Sequence, residues 1–316
     1  MNCSASKPIL NSFKDFIPNN MFLSIVIPTY NRAHLIENTL QRVLDQTCDD
    51  FEVIIIDDGS TDNTEEIIQP YLSEKVKYYR IPNSERGAAR NRGTELAKGN
   101  YVNWFDSDDE MLPNHVSFIK ELVEKNNKPE VLHVMYQIKD QTTGKTTTIQ
   151  SSYSSRQRKR KNFLIEGNYL ACNPVIVRRD IALENPFIEN RNLSASEDYE
   201  LWLRLLAKYT FVKSAEITSY LIQHDERSVN TMTDPDKLEL RFLTFLKYID
   251  TNKQLKEFLG IDYSYFVMRN YLILAVDLAY NGHKRKGLFY LKKALREHKR
   301  ALNQRVFWAT LKHLIF

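Results

Sequence analysis

The chain of 316 residues is long enough for two domains, or for one large domain with an appendage, and its 42% hydrophobic content can build a substantial core. The formal net charge is +4, but residues 283–316 hold ten Lys and Arg against the single acid Glu297, which leaves about −5 for the first 282 residues. Basic character is therefore concentrated at the C-terminus, and we expect no nucleic-acid partner.

The cysteines and the N-terminus indicate a cellular location. Cys3, Cys48 and Cys172 are far apart, show no metal-ligand spacing and cannot all pair internally, which suits a reducing compartment. Residues 1–20 are polar and interrupted by two prolines, so we interpret them as a tail and not as a secretory signal. No run approaches the ~20 apolar residues that span a bilayer. We expect a cytoplasmic protein, with peripheral contact to the inner face of the plasma membrane as an option.

The first hundred residues after the tail predict alternating strands and helices. Short β-branched runs predict buried strands, and runs with apolar residues at helical spacing predict helices between them. This alternation predicts an α/β fold with a doubly wound, mostly parallel sheet and right-handed crossovers. The predicted strands are 22–28, 51–56, 76–81 and 101–105, and the predicted helices are 33–46, one from Ser60 or Asp62 toward residue 72, and 88–98.

The remaining chain changes from mixed to helical structure. Residues 141–161 are polar and end in a basic run at 156–161, so we expect an exposed loop there. We divide the chain into the tail 1–20, an α/β domain at 21–235 and a helical region at 236–316. Predicted elements are helix 116–125, strand 130–138, an apolar run at 169–177, a helix capped by Ser196, strand 211–222, and helices 238–248, 263–280, 286–302 and 305–314.

An apolar run at 101–105 ends in three carboxylates, those of Asp106, Asp108 and Asp109. Carboxylates cannot be buried unpaired in a sheet, so they must emerge where the strand ends, which is also where open α/β sheets bind ligands. Carboxylate oxygens suit Mg²⁺ or Mn²⁺. An acidic first turn of the following helix explains the same residues equally well. Taken alone, this stretch leaves both interpretations open.

Carboxylates recur at two other element ends, at Asp57 and Asp58 and at Glu197 and Asp198. Alternately wound strands bring such ends to one edge, where they predict a nucleotide contact, a metal site and a general base. Those groups together serve metal-assisted transfer from a nucleoside diphosphate. The P-loop, dinucleotide and G-x-S-x-G motifs are absent from the sequence, so those functions have no support.

Five ordered motifs resemble those of family-2 glycosyltransferases with the GT-A fold. The resemblance covers roughly residues 22–228, and it implies that 21–235 is a GT-A domain. It also implies inverting transfer of a sugar from a nucleotide-sugar donor, most naturally a UDP-sugar, to an acceptor hydroxyl. The motifs are SIVIPTYNR at 24–32, VIIIDDGSTD at 53–62, ARNRG at 89–93, DSDD at 106–109 and EDYELW at 197–202.

The resemblance assigns roles to the acidic residues. Asp198 is implied as the general base, which Glu197 orients, and Asp106 and Asp108 as the pair that contacts the donor ribose and the metal. His224 corresponds to a late histidine that reaches the metal or diphosphate in many relatives, although a lone histidine is more often structural. The implied metal ligands of Mg²⁺ or Mn²⁺ are Asp108, Asp109 and His224.

The nucleotide pocket is implied by the same motifs. Asp58 is expected to accept a hydrogen bond from the base, and Arg86 to offset phosphate charge. The alternative roles for the residues after the first strand and for Asp58 are a strand-end turn and a helix cap. For Arg90 and Arg92, a solvated helix face is as plausible as ligand contact. The implied nucleotide-sugar-binding residues are Pro28, Thr29, Tyr30, Arg32, Asp58, Arg86, Asp106, Ser107 and Asp108.

One departure from part of the family bears on the reaction. The Q-x-x-R-W signature of processive synthases is absent, and residues 201–204 read LWLR instead. This favours addition of a single sugar to a glycan or lipid-linked acceptor in cell-surface polysaccharide or glycoconjugate synthesis. The alternatives are a sugar nucleotidyltransferase, which needs no base at Asp198, and a catalytically silent nucleotide-sugar-binding or scaffold protein.

The C-terminal helices carry an apolar stripe surrounded by basic residues. We favour a helix packed on its neighbours with a solvated basic back. Docking to an anionic membrane surface is the alternative. The stripe consists of Leu288, Leu291, Leu295, Leu302 and Val306, and the basic residues are Lys284, Lys286, Lys292, Lys293, Lys299 and Arg300.

Overall fold

The fold is built on a mixed β-sheet, and the computed structural model describes residues 21–148, 163–225, 227 and 233–315. The predicted tail 1–20 and the basic run 156–161 lie outside these residues. The strands are β1 (Leu23–Thr29), β2 (Phe51–Asp57), β3 (Val76–Arg80), β4 (Tyr101–Trp104), β5 (Glu110–Met111), β6 (Val131–Asp140), β7 (Thr146–Thr148), β8 (Val175–Arg178) and β9 (Phe211–Gln223).

Helices alternate with the first strands and then follow one another after β9. None of the described helices combines the length and the apolar character needed to cross a bilayer. The helices are α1 (Ala33–Leu44), α2 (Thr64–Ile68), α3 (Glu85–Leu96), α4 (His115–Lys125), α5 (Arg179–Glu184), α6 (Glu197–Lys208), α7 (Pro235–Thr251), α8 (Lys253–Leu259), α9 (Tyr263–Tyr280), α10 (Lys284–Glu297) and α11 (Arg305–Ile315).

The strand order is β3-β2-β1-β4-β8-β6-β9-β5, with β7 paired to β6. The first four strands in this order are parallel, as the alternation of strands and helices predicts. Strand β8 then runs antiparallel to β4 and β6, and β5 runs antiparallel to β9. Six of the nine described strands share one direction. The predicted α/β class with a helical C-terminal part is confirmed.

Helix α3 approaches β1 closely because Gly93 has no side chain. A Cβ added at Gly93 would lie 2.2 Å from Cγ1 of Val26. One helical turn earlier, this close packing brings Arg90 to Asp106, which follows β4. The glycine therefore positions a cation beside the acidic turn.

Several predicted boundaries are wrong for local reasons. The helix expected from Ser60 or Asp62 toward residue 72 is only α2 with a 3₁₀ turn at Gln69–Tyr71, and its N-cap is Asn63. The helix expected at 286–302 ends at Glu297, because His298 is extended and its Nδ1 accepts from Arg300 N–H at 3.0 Å. Strands β5 and β7 have two and three residues, too few for a periodic pattern.

The C-terminal helices share a buried core with the sheet region. Tyr199 of α6 stacks on Phe245 of α7, with ring centroids 5.0 Å apart. The hydroxyl of Tyr265 donates to the carboxylate of Glu166, and Arg269 Nη2 donates to the Glu166 carbonyl at 2.7 Å. One hydrophobic cluster thus extends across residue 235, and the predicted domain boundary there stays a prediction.

Candidate active site

A pocket of about 350 Å³ opens where β1, β2 and β4 end. All nine residues predicted to bind the nucleotide sugar line it. Four further lining residues, Asn83, Glu85, Arg191 and Arg227, were not predicted from the sequence as site residues. For Arg90 the sequence favoured neither ligand contact nor a solvated helix face. The full lining consists of Pro28, Thr29, Tyr30, Arg32, Asp58, Asn83, Glu85, Arg86, Arg90, Asp106, Ser107, Asp108, Arg191 and Arg227.

The turn after β1 is fixed by hydrogen bonds to the turn after β2. Asn31 has a left-handed backbone with φ of 50°, and its Oδ1 accepts from the N–H of Thr61 at 2.8 Å. Ser60 Oγ accepts in turn from the N–H of Asn31 at 2.9 Å. These bonds hold Tyr30 at the pocket with 45% of its surface exposed, so an aromatic ring is available to a ligand.

Asp58 holds the start of α3 against the pocket. Its two oxygens accept from the backbone N–H groups of Ser84 at 2.6 Å and Glu85 at 2.9 Å. Burial raises the pKa of Asp58, and these two hydrogen bonds oppose the rise. Each carboxylate oxygen has a second lone pair, so the predicted contact with a base is compatible with this scaffold role.

The three acidic residues after β4 form one cluster, with an oxygen from each within 4.8 Å of the others. Asp109 is fully buried, and its oxygens accept from Ile222 N–H at 2.8 Å, Arg227 at 2.9 Å and Asn173 at 2.5 Å. Burial, reinforced by the neighbouring carboxylates and opposed by Arg227, raises the pKa of Asp109 to about 7. Asp109 is therefore committed to protein contacts.

Asp108 faces the pocket and pairs with His224, whose Nε2 lies 3.0 Å from Oδ2 of Asp108. Burial would raise the pKa of Asp108, but the hydrogen bond from His224 and the charge of Arg227 outweigh it and hold the pKa below its usual range. The structure thus brings His224 to the acidic cluster across 116 residues of sequence.

Arg90 joins the acidic turn to the start of α6. Its Nη2 donates to Oδ1 of Asp106 at 2.9 Å, and its Nη1 donates to Oε1 of Glu197 at 2.8 Å. Arg90 is buried, so the solvated-face interpretation is wrong for this residue. It is right for Arg92, which is exposed and pairs with Glu95.

Two adjacent carboxylates at the start of α6 have different protonation behaviour. Burial would raise the pKa of Glu197, but the charges of Arg86 and Arg90 hold it below the usual range. Burial and the charge of Glu197 raise the pKa of Asp198 to about 6. Asp198 accepts from Asn168 Nδ2 at 3.1 Å and from its neighbour Tyr199 N–H at 2.7 Å. Environments that separate two pKa values in this way are typical of acid–base sites.

Three of the four predicted residues outside the lining contact lining residues, and the fourth, Asp198, contacts Asn168 and Tyr199 instead. Asp109 contacts Arg227, His224 contacts Asp108, and Glu197 contacts Arg90. Arg191 closes one side by donating to the carbonyl of Asn83 at 2.8 Å. The sequence signal that points to Arg191 and Arg227 is their positive charge, because a buried acidic cluster needs nearby cations.

A mixed sheet with a polar pocket at the carboxyl ends of its parallel strands, and acidic groups on both sides of that pocket, is the architecture of an α/β enzyme of the GT-A type. The family model described as glycosyl transferase family 2 matches residues 24–183, slightly more than half of the chain. The chain therefore belongs to the glycosyl transferase family 2.

Relatives and solved structures agree with this assignment. An uncharacterized glycosyltransferase of Rickettsia bellii is 28% identical over 252 residues, which are 79% of this chain and 35% of the relative, so the chain spans about a third of that protein. The Escherichia coli UDP-Glc:alpha-D-GlcNAc-diphosphoundecaprenol beta-1,3-glucosyltransferase WfgD is 28% identical over 189 residues, 60% of this chain and 71% of WfgD. S. aureus TarS 1–349 in complex with UDP-GlcNAc shares the fold, with a TM-score of 0.62, 17% identity and coverage of 89% of this chain and 90% of TarS 1–349.

Proposed function

We propose that the protein transfers a single sugar from a nucleotide-sugar donor, most naturally a UDP-sugar, to an acceptor hydroxyl with inversion at the anomeric carbon. The observation that carries this proposal is the Arg90 bridge. One buried guanidinium contacts Asp106 on the pocket wall and Glu197 beside Asp198. The bridge supports a site in which donor and base lie on either side of a single cation.

The donor nucleotide would occupy the pocket at the ends of β1 and β2. The exposed ring of Tyr30 offers a stacking surface for a base, and Asp58 has lone pairs for a base N–H. Arg86 lines the pocket and lies 3.8 Å from Glu197 through its Nε. Its charge would offset a diphosphate bound in the pocket.

The acidic turn fits a divalent cation, Mg²⁺ or Mn²⁺, through its carboxylate donors. Asp108 would be the main ligand and Asp106 would share the cation or bind ribose, because each has an oxygen to which no residue of the described chain donates. His224 would stand behind Asp108. A bound cation supplies Lewis-acid stabilisation of the departing diphosphate. Asp109 would support the turn from inside through its hydrogen bonds to the protein, so it would contribute less to metal binding than its predicted role as a ligand implies.

Asp198 would act as the general base. It takes the proton from the acceptor hydroxyl as that oxygen bonds to the anomeric carbon, while the bond from that carbon to the nucleoside diphosphate breaks on the opposite face. Its pKa of about 6 keeps it ionised at neutral pH. Glu197, ionised and held by Arg90, maintains the negative charge that raises the pKa of Asp198.

The acceptor would be a glycan or a lipid-linked glycan in the synthesis of a cell-surface polysaccharide or glycoconjugate. The similarity to WfgD supports this, since its name gives a diphosphoundecaprenol-linked acceptor.

We also propose that the C-terminal basic surface contacts an anionic membrane. Of the predicted stripe, Leu291 is buried and Leu295 and Val306 pack on the core, which supports the packing interpretation for those three. Leu288 and Leu302 are exposed. The C-terminal basic surface is defined by exposed Leu288, Phe289, Leu302 and Trp308 with exposed Lys284, Arg285, Lys292, Arg305 and Lys312.

The basic first turn of α10 supports the proposed membrane contact. This turn contains no acidic residue, and of its three cations Lys286 pairs with Asp236 and Glu239 of α7 whereas Lys284 and Arg285 are exposed. Cations at a helix N-terminus oppose the macrodipole and lower helix stability. An anionic partner would offset that cost, and exposed Trp, Phe and Leu are the side chains that enter a bilayer interface.

The activity is tested by incubating the purified protein with UDP-, GDP- and dTDP-sugars and Mn²⁺. The proposal predicts slow hydrolysis of one donor class, which releases the nucleoside diphosphate. Release of pyrophosphate from a nucleoside triphosphate and a sugar phosphate would instead identify a nucleotidyltransferase. Donor binding with no turnover toward any acceptor would identify a silent sugar-nucleotide-binding protein.

A further inference from the structure

A buried arginine outside the pocket has no hydrogen-bond acceptor. Arg241 of α7 is 7% exposed. Within the part of the chain that the structure describes, no residue accepts a hydrogen bond from it or forms an ion pair with it. Its guanidinium lies 4.9 Å from the ring centroid of Phe242. The Nε of Arg241 is fully buried without an acceptor, which is costly, so its presence in this position needs an explanation.

Arg241 lies on the face of α7 that packs against α6, the helix that carries the proposed base. Phe245, four residues later on the same helix face, stacks on Tyr199 with ring centroids 5.0 Å apart. Tyr199 directly follows Asp198 in α6. The carboxylates of Asp277, Glu197 and Asp198 are near enough to oppose the lowering of the Arg241 pKa that burial causes.

None of these nearby carboxylates forms an ion pair with Arg241. Glu197 is held by Arg90 at 2.8 Å. Asp198 accepts from Asn168 at 3.1 Å. Asp277 on α9 lies beyond ion-pair distance, and burial raises its pKa. The guanidinium therefore keeps its full set of donors for a group that enters the site.

We infer that Arg241 binds an oxyanion of the acceptor, a phosphate or a carboxylate, close to the hydroxyl that is attacked. A guanidinium offers two parallel N–H groups to such an oxyanion. Because Arg241 lies outside the pocket lining and on the helix that packs against α6, we assign the anion to the acceptor and not to the donor diphosphate. This assignment depends on the proposed function, whereas the existence of an anion site at Arg241 does not.

The test uses the full chain saturated with UDP and Mg²⁺, so that the donor pocket is filled. Inorganic phosphate, and acetate in a parallel series, are titrated while the melting temperature is followed. Wild type should be stabilised by the preferred anion, and Arg241→Met should bind it at least about tenfold more weakly, as expected for a lost charge-assisted hydrogen bond. Without anion, Arg241→Met should melt no lower than wild type.

Two further variants make the result decisive. Asp277→Asn should keep the anion response, and Arg241→Lys, which keeps the charge but not the paired donors, should show an intermediate response. Equal anion responses in wild type and Arg241→Met would overturn the inference. Equal destabilisation by Arg241→Met and Asp277→Asn, without any anion response, would also overturn it and identify a structural charge pair. An Arg241-dependent response in a protein that UDP, GDP and dTDP all fail to stabilise would keep the anion site and reject the proposed function.

Discussion

Arg90 and Glu197 form an ion pair of 2.8 Å in which both side chains are buried. Arg90 also donates to Asp106. Its removal would therefore take a partner from both carboxylates and would leave the buried carboxylate of Glu197 without its main partner. We expect Arg90→Met to lower the free energy of unfolding by roughly 3–5 kcal/mol. Urea unfolding measures this change.

The matched control for Arg90 is Arg92, two residues later in α3. Arg92 is exposed and pairs with exposed Glu95. Arg92→Met should therefore change the free energy of unfolding by no more than about 0.5 kcal/mol. Equal effects of the two substitutions would contradict a structural role for the buried bridge.

Asp198→Asn should separate binding from chemistry. An amide keeps the shape of the side chain but cannot accept the acceptor proton, so transfer should fall by about 10²–10⁴-fold. Donor affinity, measured by calorimetry with UDP and Mn²⁺, should change less than about threefold, because Asp198 does not line the donor pocket. Transfer at the wild-type rate would show that Asp198 is not the base.

The pH dependence of transfer should follow Asp198. Its pKa is raised to about 6, so the proton-accepting form is lost as the pH falls through 6. The value of kcat/KM should then fall about tenfold per pH unit below that point and level off above it. Glu197 stays ionised in this range because its pKa is lowered. A flat profile between about pH 5 and pH 7 would argue against this assignment.

Asp108→Ala should weaken the cation-dependent part of donor binding. We expect the affinity for UDP in the presence of Mn²⁺ to fall at least about tenfold, with little change in its absence. Asp49→Ala, which removes a carboxylate that is 96% exposed, is the control and should behave as wild type. Unchanged Mn²⁺ dependence in Asp108→Ala would favour a metal-independent or silent protein.

Membrane contact predicts salt-sensitive flotation with anionic vesicles. Wild type should float with phosphatidylglycerol-containing vesicles at about 0.1 M salt and much less at about 1 M salt, because screening weakens the Lys and Arg contacts. Trp308→Ala should reduce flotation. Ile261→Ala removes another apolar side chain, 98% exposed and outside the C-terminal basic surface, and should not. If the protein does not float, or if both variants float equally, the membrane proposal is wrong and the C-terminal basic surface is a solvated face.

Much of the pocket lining was predictable from sequence because its residues lie in short motifs at strand ends. Pro28 to Arg32 and Asp106 to Asp108 each line the pocket as nearly contiguous segments. Parallel strand order then brings those segments to one edge without any knowledge of side-chain packing.

Residues that reach the site from distant segments could not be found in this way. Arg191 contacts Asn83 across 108 residues, and Arg227 contacts Asp109 across 118. Arg191 lies outside the motifs and Arg227 lies three residues after the predicted ligand His224, and the positions of both depend on where α6 and β9 pack. The break at His298 was equally hidden, because no Gly or Pro precedes it and the interruption comes from a side-chain hydrogen bond.

The stacking of Tyr199 on Phe245 limits how this protein can be recombined with its relatives. A chimera joined at residue 235 would keep α6 and replace the ring of Phe245 that stacks on it. The hydrogen bonds from Tyr265 and Arg269 to Glu166 would be broken at the same junction. Exchange of acceptor specificity by swapping segments therefore requires the C-terminal helices to be transferred with α6 and with residues 163–168 as one unit.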